Sequence, residues 1–250
     1  MVQIIADTTS SIPVPLAISR KIAYLPQIII FGSQSYRDDC EIDSPTFLQK
    51  LKASDQLPKT AAPPPALYSP IYQQLRSSGQ PGLVIAPSAE VSGTYRSAMV
   101  AAQDFPDVDI RIIDTRTVAS GLGSIVLEAA ARAEQGASID ELEQKVKELA
   151  ARMRVYFVVD TLEYLYKGGR IGGAQALFGS LLQVKPILTL RDGRAEAAES
   201  QRTKNRAFAR LKELVLANCP KGPAGLLTVS HCDAEDQEID NPNPEGEDQS

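Results

Sequence analysis

Histidine is nearly absent from this chain of 250 residues, and its few cysteines are scattered, which excludes several kinds of site. His231 is the single histidine, so a His-rich metal site is excluded, and a Ser-His-Asp triad would have to use a residue at the end of the last apolar run. Cys40, Cys219 and Cys232 lack C-x-x-C spacing. We therefore predict a reduced, cytoplasmic protein that contains no metal.

Long apolar runs and the common nucleotide motifs are also missing. No apolar run approaches the ~20 residues that span a bilayer, and the N-terminus has no basic region or cleavage site, so we predict neither a transmembrane segment nor secretion. The sequence contains no G-x-x-x-x-G-K-[ST] motif, and Gly121-Leu122-Gly123 lacks the third glycine of a dinucleotide fingerprint. No basic stripe interleaved with aromatic residues indicates nucleic-acid binding.

The negative net charge of −5 belongs to the end of the sequence. Residues 233–250 hold eight acidic and no basic residues, which leaves 26 basic and 23 acidic residues in 1–232. This last segment is polar, rich in Pro and Asn, and has one aliphatic side chain, Ile239. We predict that it is a disordered acidic tail without a catalytic role.

Three short, largely apolar runs predict strands that are covered on both faces: Val2–Ala6, Leu83–Ala86 and Ile110–Ile113. Helix-like segments separate them, and Ser138-x-x-Glu141 is the capping-box pattern of a further helix. Strands that alternate with helices indicate βαβ units and a mostly parallel sheet. Small polar residues follow each run, where they either bind a ligand or cap the next helix.

The pattern changes after about residue 155. Further strands are predicted at 155–159, 184–190 and 225–230, helices at 174–182 and 203–218, and a hairpin turn at Asp192-Gly193. Hairpins mixed with helices indicate an α+β arrangement. We therefore predict an α/β protein of two lobes: an N-terminal lobe (1–154) whose mostly parallel sheet is flanked by helices, and a smaller α+β C-terminal lobe (155–232), followed by the tail (233–250).

Two glycine-containing segments are candidates for binding an anion. Gly168-Gly169-Arg170 combines a backbone that permits close approach with a guanidinium that suits carboxylate or phosphate, although a helix C-cap explains it equally well. Ser92-Gly93-Thr94 opens a helix-like stretch and offers hydroxyls and backbone N–H groups, or a plain serine N-cap. Together with Thr60, which precedes a Pro-rich turn, they suggest one polar pocket.

These two segments belong to an ordered series of short motifs: Asp7-Thr8-Thr9-Ser10, Phe31-Gly32, Tyr36-x-Asp38, Thr60, Ser92-Gly93-Thr94-Tyr95, Leu162-x-x-Leu165-x-x-Gly168-Gly169-Arg170-Ile171, Lys185-Pro186-Ile187-Leu188 and Asp192-Gly193. In this series the sequence resembles DegV proteins, a bacterial family, over about residues 2–232. The resemblance implies two α/β lobes with a lipid between them. Characterised members bind a fatty acid and present it to a separate fatty acid kinase for phospholipid metabolism.

By this resemblance the chain is a carrier without catalytic residues or cofactors, and its ligand is a long-chain fatty acid. Thr60, Ser92, Gly93 and Thr94 would bind the carboxylate, while Gly169 and Arg170 would serve the head group, its phosphate or the docking of the kinase. The tunnel for the hydrocarbon chain would be lined by apolar residues of both lobes: Ile28, Ile30, Leu165, Phe178 and Leu182.

The sequence departs from the family at its end. Members usually continue with a helix, a strand and a His-Thr-Gly-Pro-Gly-like segment whose His reaches the head group, and here the acidic tail stands in that place. We therefore expect a truncated or diverged member that lacks one head-group ligand. Two rival hypotheses are an enzyme or binding protein for a small phosphorylated metabolite, which predicts a small polar pocket, and an interaction protein without a ligand.

Overall fold

The computed structural model describes residues 1–177, 184–222 and 225–232 and places ten strands and eight α-helices in these ranges. The strands are β1 (Gln3–Asp7), β2 (Ala23–Leu25), β3 (Ile28–Phe31), β4 (Gln34–Arg37), β5 (Lys59–Ala61), β6 (Gly82–Ala86), β7 (Ile110–Asp114), β8 (Tyr156–Val158), β9 (Lys185–Arg191) and β10 (Arg194–Gln201). The α-helices are α1 (Val14–Ser19), α2 (Ser44–Ala53), α3 (Pro65–Ser78), α4 (Thr94–Ala102), α5 (Ala119–Glu134), α6 (Ile139–Arg152), α7 (Glu163–Lys167) and α8 (Lys204–Asn218).

The three apolar runs of the first half become β1, β6 and β7 of a parallel sheet, called sheet A, with the order β2-β1-β6-β7. Successive side chains of β1 enter opposite faces: Ile4 packs with α5 and α6, whereas Ile5 packs with α3 and α4. Helices therefore cover both faces, and every residue of β6 is buried. The predicted α/β class and parallel sheet are confirmed.

Two antiparallel sheets complete the described fold. Sheet B has the order β4-β3-β5, and sheet C has the order β10-β9-β8. The turn between β9 and β10 has positive φ at both central residues, 50° at Asp192 and 81° at Gly193, as the Asp-Gly sequence predicts. The helix predicted at 203–218 is confirmed as α8, with Thr203 as its N-cap.

Two predictions for the second half of the chain need correction. Residues 225–230 do not form a strand, because no other strand in the described ranges pairs with them, and Leu226 and Val229 are 67% and 61% exposed. The helix predicted at 174–182 begins as a 3-10 helix at Gly172–Leu177, and the rest lies outside the described residues. At Gly172 a Cβ would lie 2.3 Å from the Ala195 carbonyl oxygen of β10, so the chain here requires glycine.

Sheets A and B draw on residues 3–114 and sheet C on residues 156–201. The division into lobes near residue 154 remains a prediction, and the acidic tail at 233–250 lies outside the described residues. Of the helices in the described ranges, none combines the length and the apolar character needed to cross a membrane.

The hairpin turn at Gly193 touches Ser88 in the loop that follows β6, and a substitution of this glycine tests the contact. A Cβ at Gly193 would lie 2.3 Å from the Ser88 hydroxyl, and its φ is 81°. We expect Gly193→Ala to lower the free energy of unfolding in denaturant titrations by about 1–3 kcal/mol, since strain and a clash add. Gly79→Ala is the matched control, because Gly79 also has positive φ (66°) but no atom lies within 4 Å of its Cβ position. Equal losses in both variants would mean that the hairpin contact contributes nothing.

Candidate functional site

Ser92 lies in the loop between β6 and α4, and buried Ser88 fixes the shape of that loop. The carbonyl oxygen of Ser88 accepts the N–H groups of Val91 at 3.2 Å and of Ser92 at 3.0 Å. The Ser88 N–H donates to the Thr117 carbonyl at 2.9 Å, and its hydroxyl donates to the Gly193 carbonyl at 2.8 Å. The loop that carries Ser92 is therefore held on one side by Thr117, in the segment between β7 and α5, and on the other side by the hairpin of sheet C.

The Gly168-Gly169-Arg170 segment ends α7 and touches the same loop. Gly169 has φ 72°, and the Arg170 N–H donates to the Leu165 carbonyl at 2.8 Å, which is the geometry of a helix C-cap. The guanidinium of Arg170 reaches further, and its Nε donates to the Val91 carbonyl at 3.2 Å. The segment thus caps a helix and also places a cation beside the loop of Ser92.

An open cleft of about 540 Å³ lies between these two segments. Four of the predicted site residues line it: Ser92, Gly93, Gly169 and Arg170. Its lining also contains Ala89, Glu90, Val91, Tyr95, Arg96, Met99 and Gly168. Two arginines against one glutamate give the cleft a small positive charge, and Arg194 pairs with that glutamate from outside the lining. Such a cleft suits an anionic group.

Thr94 lies behind the cleft, because its side chain is 1% exposed and it is not part of the lining. Its hydroxyl oxygen lies 3.1 Å from the Ser92 hydroxyl and accepts from the Gln27 side-chain amide at 3.1 Å. The same hydroxyl is hydrogen-bonded to the Asp7 carboxylate. Thr94 is therefore placed to orient Ser92, and its own hydroxyl is engaged inside the protein.

Asp7, at the end of β1, is the buried carboxylate on which this network is built. It is 0% exposed and accepts four hydrogen bonds: from the Thr9 N–H at 3.2 Å, the Thr9 hydroxyl, the Gln27 amide at 2.6 Å and the Thr94 hydroxyl. All four donors are neutral. Burial raises the pKa of Asp7 above its ordinary value, and the four hydrogen bonds oppose that rise.

Asp38 forms a second carboxyl site beside the first. The Thr8 hydroxyl donates to both oxygens of the Asp38 carboxyl at 2.8 Å, and the Asp38 N–H donates to the Gln27 carbonyl at 3.1 Å. Burial raises the pKa of Asp38 to about 6. Hydrogen bonds with Thr8 and the Gln27 backbone oppose that rise, and the neighbouring carboxyl groups of Asp39 and Asp7 add to it.

Thr60, the remaining predicted carboxylate ligand, is exposed in β5 and lies outside the lining of the cleft. The chain just after it approaches the cleft, since a Cβ at Gly93 would lie 3.4 Å from Ala62. The register of sheet B pairs Thr60 with Ile29. Thr60 therefore points to the same face of sheet B as Ile29, and the predicted tunnel residues Ile28 and Ile30 point to the opposite face.

The other predicted tunnel residues belong to the second half of the chain. Leu165 is half-buried and packs against a cluster formed by Leu162, Ile171, Ala174 and Leu188. Phe178 and Leu182 lie outside the described residues.

Sequence reasoning missed two residues that shape the site. Gln27 forms hydrogen bonds with Asp7, Thr94 and Thr8. The sequence marks it only as a single polar side chain between Pro26 and the apolar run at 28–31. Ser88 lies in a polar cluster that follows a predicted strand, but its bond to residue 193 cannot be read from spacing.

The fold and the cleft define an α/β protein with a polar site at the carboxyl ends of parallel strands, closed on one side by a helix C-cap and an antiparallel hairpin. The chain belongs to the DegV family: the family's sequence model, described as "Uncharacterised protein, DegV family", matches residues 1–242. A DegV domain-containing protein of Streptomyces coelicolor is 38% identical over 237 residues, which cover 94% of this chain and 83% of the relative. The resemblance drawn from the motifs is confirmed.

Solved structures of the family share the fold. A DegV family protein from Thermus thermophilus, described by its fatty acid binding, has a TM-score of 0.81 and 33% identity over 87% of this chain and 77% of its own. DegV of Bacillus subtilis, described as a fatty acid binding protein, has a TM-score of 0.79 and 31% identity over the same shares of the two chains.

The raised pKa of Asp38 predicts how stability changes with pH. Because the folded state favours the protonated carboxyl, this contribution is present below about pH 4 and is lost as the pH rises through about 6. We expect Asp38→Asn to remove that loss. The free energy of unfolding of the variant minus that of wild type should therefore increase by up to about 3 kcal/mol between about pH 4 and 6. Denaturant unfolding at a series of pH values measures it.

Asp43 provides a control of opposite sign. It is the exposed N-cap of α2, and its bonds from Thr46 lower its pKa. Asp43→Asn should therefore lose stability relative to wild type as the pH rises from acid to neutral. A stability difference between Asp38→Asn and wild type that does not change with pH would contradict the raised pKa.

Proposed function

We propose that this protein binds a long-chain fatty acid, with the carboxylate at Ser92 and the hydrocarbon chain against the incompletely covered apolar surface of the fold. The observation that carries the proposal is the incomplete burial of β3. Its four residues, Ile28–Phe31, are all large and apolar, and all four are only half-buried although β3 is the central strand of sheet B. The buried β6 of sheet A has a similar apolar composition.

The side chains of β3 are not fully covered on either face of sheet B, so apolar surface remains in contact with water, which is unfavourable. A fatty acid chain would cover such a surface. At ~0.8 kcal/mol for each buried CH₂, a chain of about sixteen carbons would contribute on the order of 10 kcal/mol before the cost of ordering it. The hydrocarbon chain would therefore supply most of the affinity.

The polar head would be placed by the groups around the cleft. Ser92 lines it, and the nine-residue helix α4 begins directly behind Gly93, so backbone N–H groups and the positive end of the helix lie at hand. Arg170 would add charge near the head group, and Thr60 would approach along the edge of sheet B. The fatty acid binding described for the Thermus thermophilus and Bacillus subtilis relatives supports this assignment.

The position of the cleft supports presentation of the carboxylate to a separate fatty acid kinase. The cleft is open to solvent, and Gly169 and Arg170 are exposed beside it. Large apolar side chains are exposed on the two helices that flank it: Met99 and Val100 on α4, and Tyr164 and Tyr166 on α7. An enzyme that docks on these helices would reach the head group of the fatty acid while the hydrocarbon chain stays bound to the protein.

A small phosphorylated metabolite is the second candidate ligand, favoured by the two arginines in the cleft. The two candidates differ in what the purified protein retains. We expect native mass spectrometry to detect the protein with one bound long-chain fatty acid, which solvent extraction then identifies. Lipid-free protein that takes up neither oleate nor palmitate would overturn the fatty acid proposal, and retention of a phosphate-containing metabolite would favour the second candidate.

Ser92→Ala tests the head-group assignment. Removal of one hydrogen bond to a charged group costs about 1.5–3 kcal/mol, so oleate should bind roughly 10- to 100-fold more weakly. Ser77→Ala is the control, because the Ser77 hydroxyl donates only within α3, to the Gln73 carbonyl. Fluorescence competition with a labelled fatty acid measures both affinities. Equal affinities for the two variants would remove Ser92 from the site.

Presentation to a kinase has its own test. The protein loaded with oleate is mixed with ATP and the catalytic subunit of a bacterial fatty acid kinase, and acyl phosphate is trapped with hydroxylamine. We expect acyl phosphate to form only when all three components are present. Tight oleate binding with no product in the complete mixture would contradict presentation while leaving the binding proposal intact.

A further inference from the structure

We propose that Asp7 and the bound acid share one proton through the hydroxyls of Thr94 and Ser92, so that the protein takes up a fatty acid carboxylate together with one proton. The inference rests on the proposed function, because it requires a carboxyl group at Ser92. It assigns to Asp7 a positioning role, since Asp7 acts on the ligand through two other residues.

The three side chains form a continuous path from the interior to the cleft. Asp7 is fully buried and bonded through its Oδ2 to the Thr94 hydroxyl, which lies 3.1 Å from the Ser92 hydroxyl. Ser92 is the member of the path that lines the cleft. Every proton on this path therefore affects what Ser92 offers to a ligand.

The direction of the bonds follows from counting hydrogens. The Thr94 hydroxyl has one hydrogen and two lone pairs, and the Gln27 side-chain nitrogen can only donate to it. When Asp7 is ionised, Thr94 donates its hydrogen to Asp7, and its second lone pair accepts the hydrogen of Ser92. Ser92 then turns a lone pair toward the cleft and is an acceptor for the ligand.

A proton on Asp7 reverses the path. Asp7 then donates to Thr94, Thr94 donates to Ser92, and the Ser92 hydrogen is free to point into the cleft. Ser92 becomes a donor, which a carboxylate requires. With a ligand bound, the path has two forms: neutral Asp7 with a ligand carboxylate, and ionised Asp7 with a neutral ligand acid. The first becomes the second when one hydrogen moves along each of the three links, from Asp7 to Thr94, from Thr94 to Ser92 and from Ser92 to the ligand, so atoms and charge balance.

The bound complex therefore holds one proton in either description: neutral Asp7 with a carboxylate, or ionised Asp7 with a neutral acid. A complex without this proton would place a carboxylate against a lone pair of Ser92 and would add a second negative charge near a buried one, and both effects are unfavourable. Arg96 and Arg170 of the lining favour the ligand's charge, but they do not give Ser92 a hydrogen to donate. The proton belongs to the pair, and the pair titrates as one unit.

Three other titratable groups of the described residues face Asp7. Tyr24, in β2, has its pKa raised to about 12 by burial, and burial also raises the pKa of Tyr68, in α3. Both phenols stay neutral in the physiological range. Asp38 titrates at about 6, but its carboxyl is bonded to Thr8 and lies off the path to Ser92. Its charge shifts the titration of the pair without replacing it.

Proton uptake on binding tests the inference directly. Delipidated protein is titrated with oleate by calorimetry in buffers of different ionisation enthalpy, between about pH 6 and 9, where the free acid is ionised. We expect uptake to approach one proton per oleate above the Asp7 pKa of the free protein, and affinity to fall there by about tenfold per pH unit. Oleyl alcohol has no carboxyl group, so its binding should take up no proton.

Two variants separate Asp7 from its neighbour. Asp7→Asn has no proton to exchange at this position, so oleate should bind without the uptake that Asp7 supplies and without the slope with pH that accompanies it. Asp38→Asn should keep the uptake and the slope and move only the midpoint. The wild-type comparison of oleate with oleyl alcohol remains decisive where Asp7→Asn does not fold.

The outcomes distinguish the inference from the proposed function. No binding of either oleate or oleyl alcohol would mean that the fatty acid proposal itself fails. Oleate binding without proton uptake at any pH in the range would overturn the shared proton and leave the fatty acid proposal standing. Uptake that persists unchanged in Asp7→Asn would assign the proton to another group and would also overturn the inference.

Discussion

A carboxylate that is removed from water must be given hydrogen-bond donors, and in this protein the need of Asp7 for four of them organises the centre of the site. The donors come from separate parts of the chain: Thr9 after β1, Gln27 between β2 and β3, and Thr94 at the start of α4. Three loops at the carboxyl end of sheet A must therefore converge on one buried atom group. Replacement of a single donor would leave an unfilled hydrogen-bond position on a buried carboxyl group.

Sheet A and sheet B differ in how completely their side chains are buried. Helices pack on both faces of sheet A and bury its side chains in two apolar clusters. Sheet B is covered less completely: Phe31 packs on Phe47 of α2, but all four residues of its central strand β3 are only partly buried. The proposed binding of an apolar molecule would need both properties, since a completely covered core has no apolar surface left to contact a ligand and an incomplete core alone is not stable.

Much of the secondary structure could be predicted from the sequence, because strands, turns and helix caps depend on residues that are close together in the chain. Short, largely apolar runs predict the parallel strands, Asp192-Gly193 predicts the hairpin turn, and the capping box at Ser138 forms as its spacing predicts. The cleft residues Ser92 and Arg170 could be found because glycines and polar groups mark them. The burial of Asp7, the role of Gln27 and the opposite faces of Thr60 and Ile28 could not, since they depend on how distant loops meet and on strand register. The strand predicted at 225–230 is wrong because a strand also requires a neighbouring strand, and none in the described ranges pairs with these residues.

The contact between Ser88 and Gly193 joins residues 105 positions apart in the chain. During synthesis, sheet A and the loop of Ser92 leave the ribosome well before β9 and β10 exist, and domains generally fold from the N-terminus onward as they emerge. The partly made protein would therefore have its buried strands but not the contact that fixes the loop of Ser92. That loop reaches its final structure only when the hairpin is present, so a chain that stalls before residue 193 would present the candidate cleft without one of its supports.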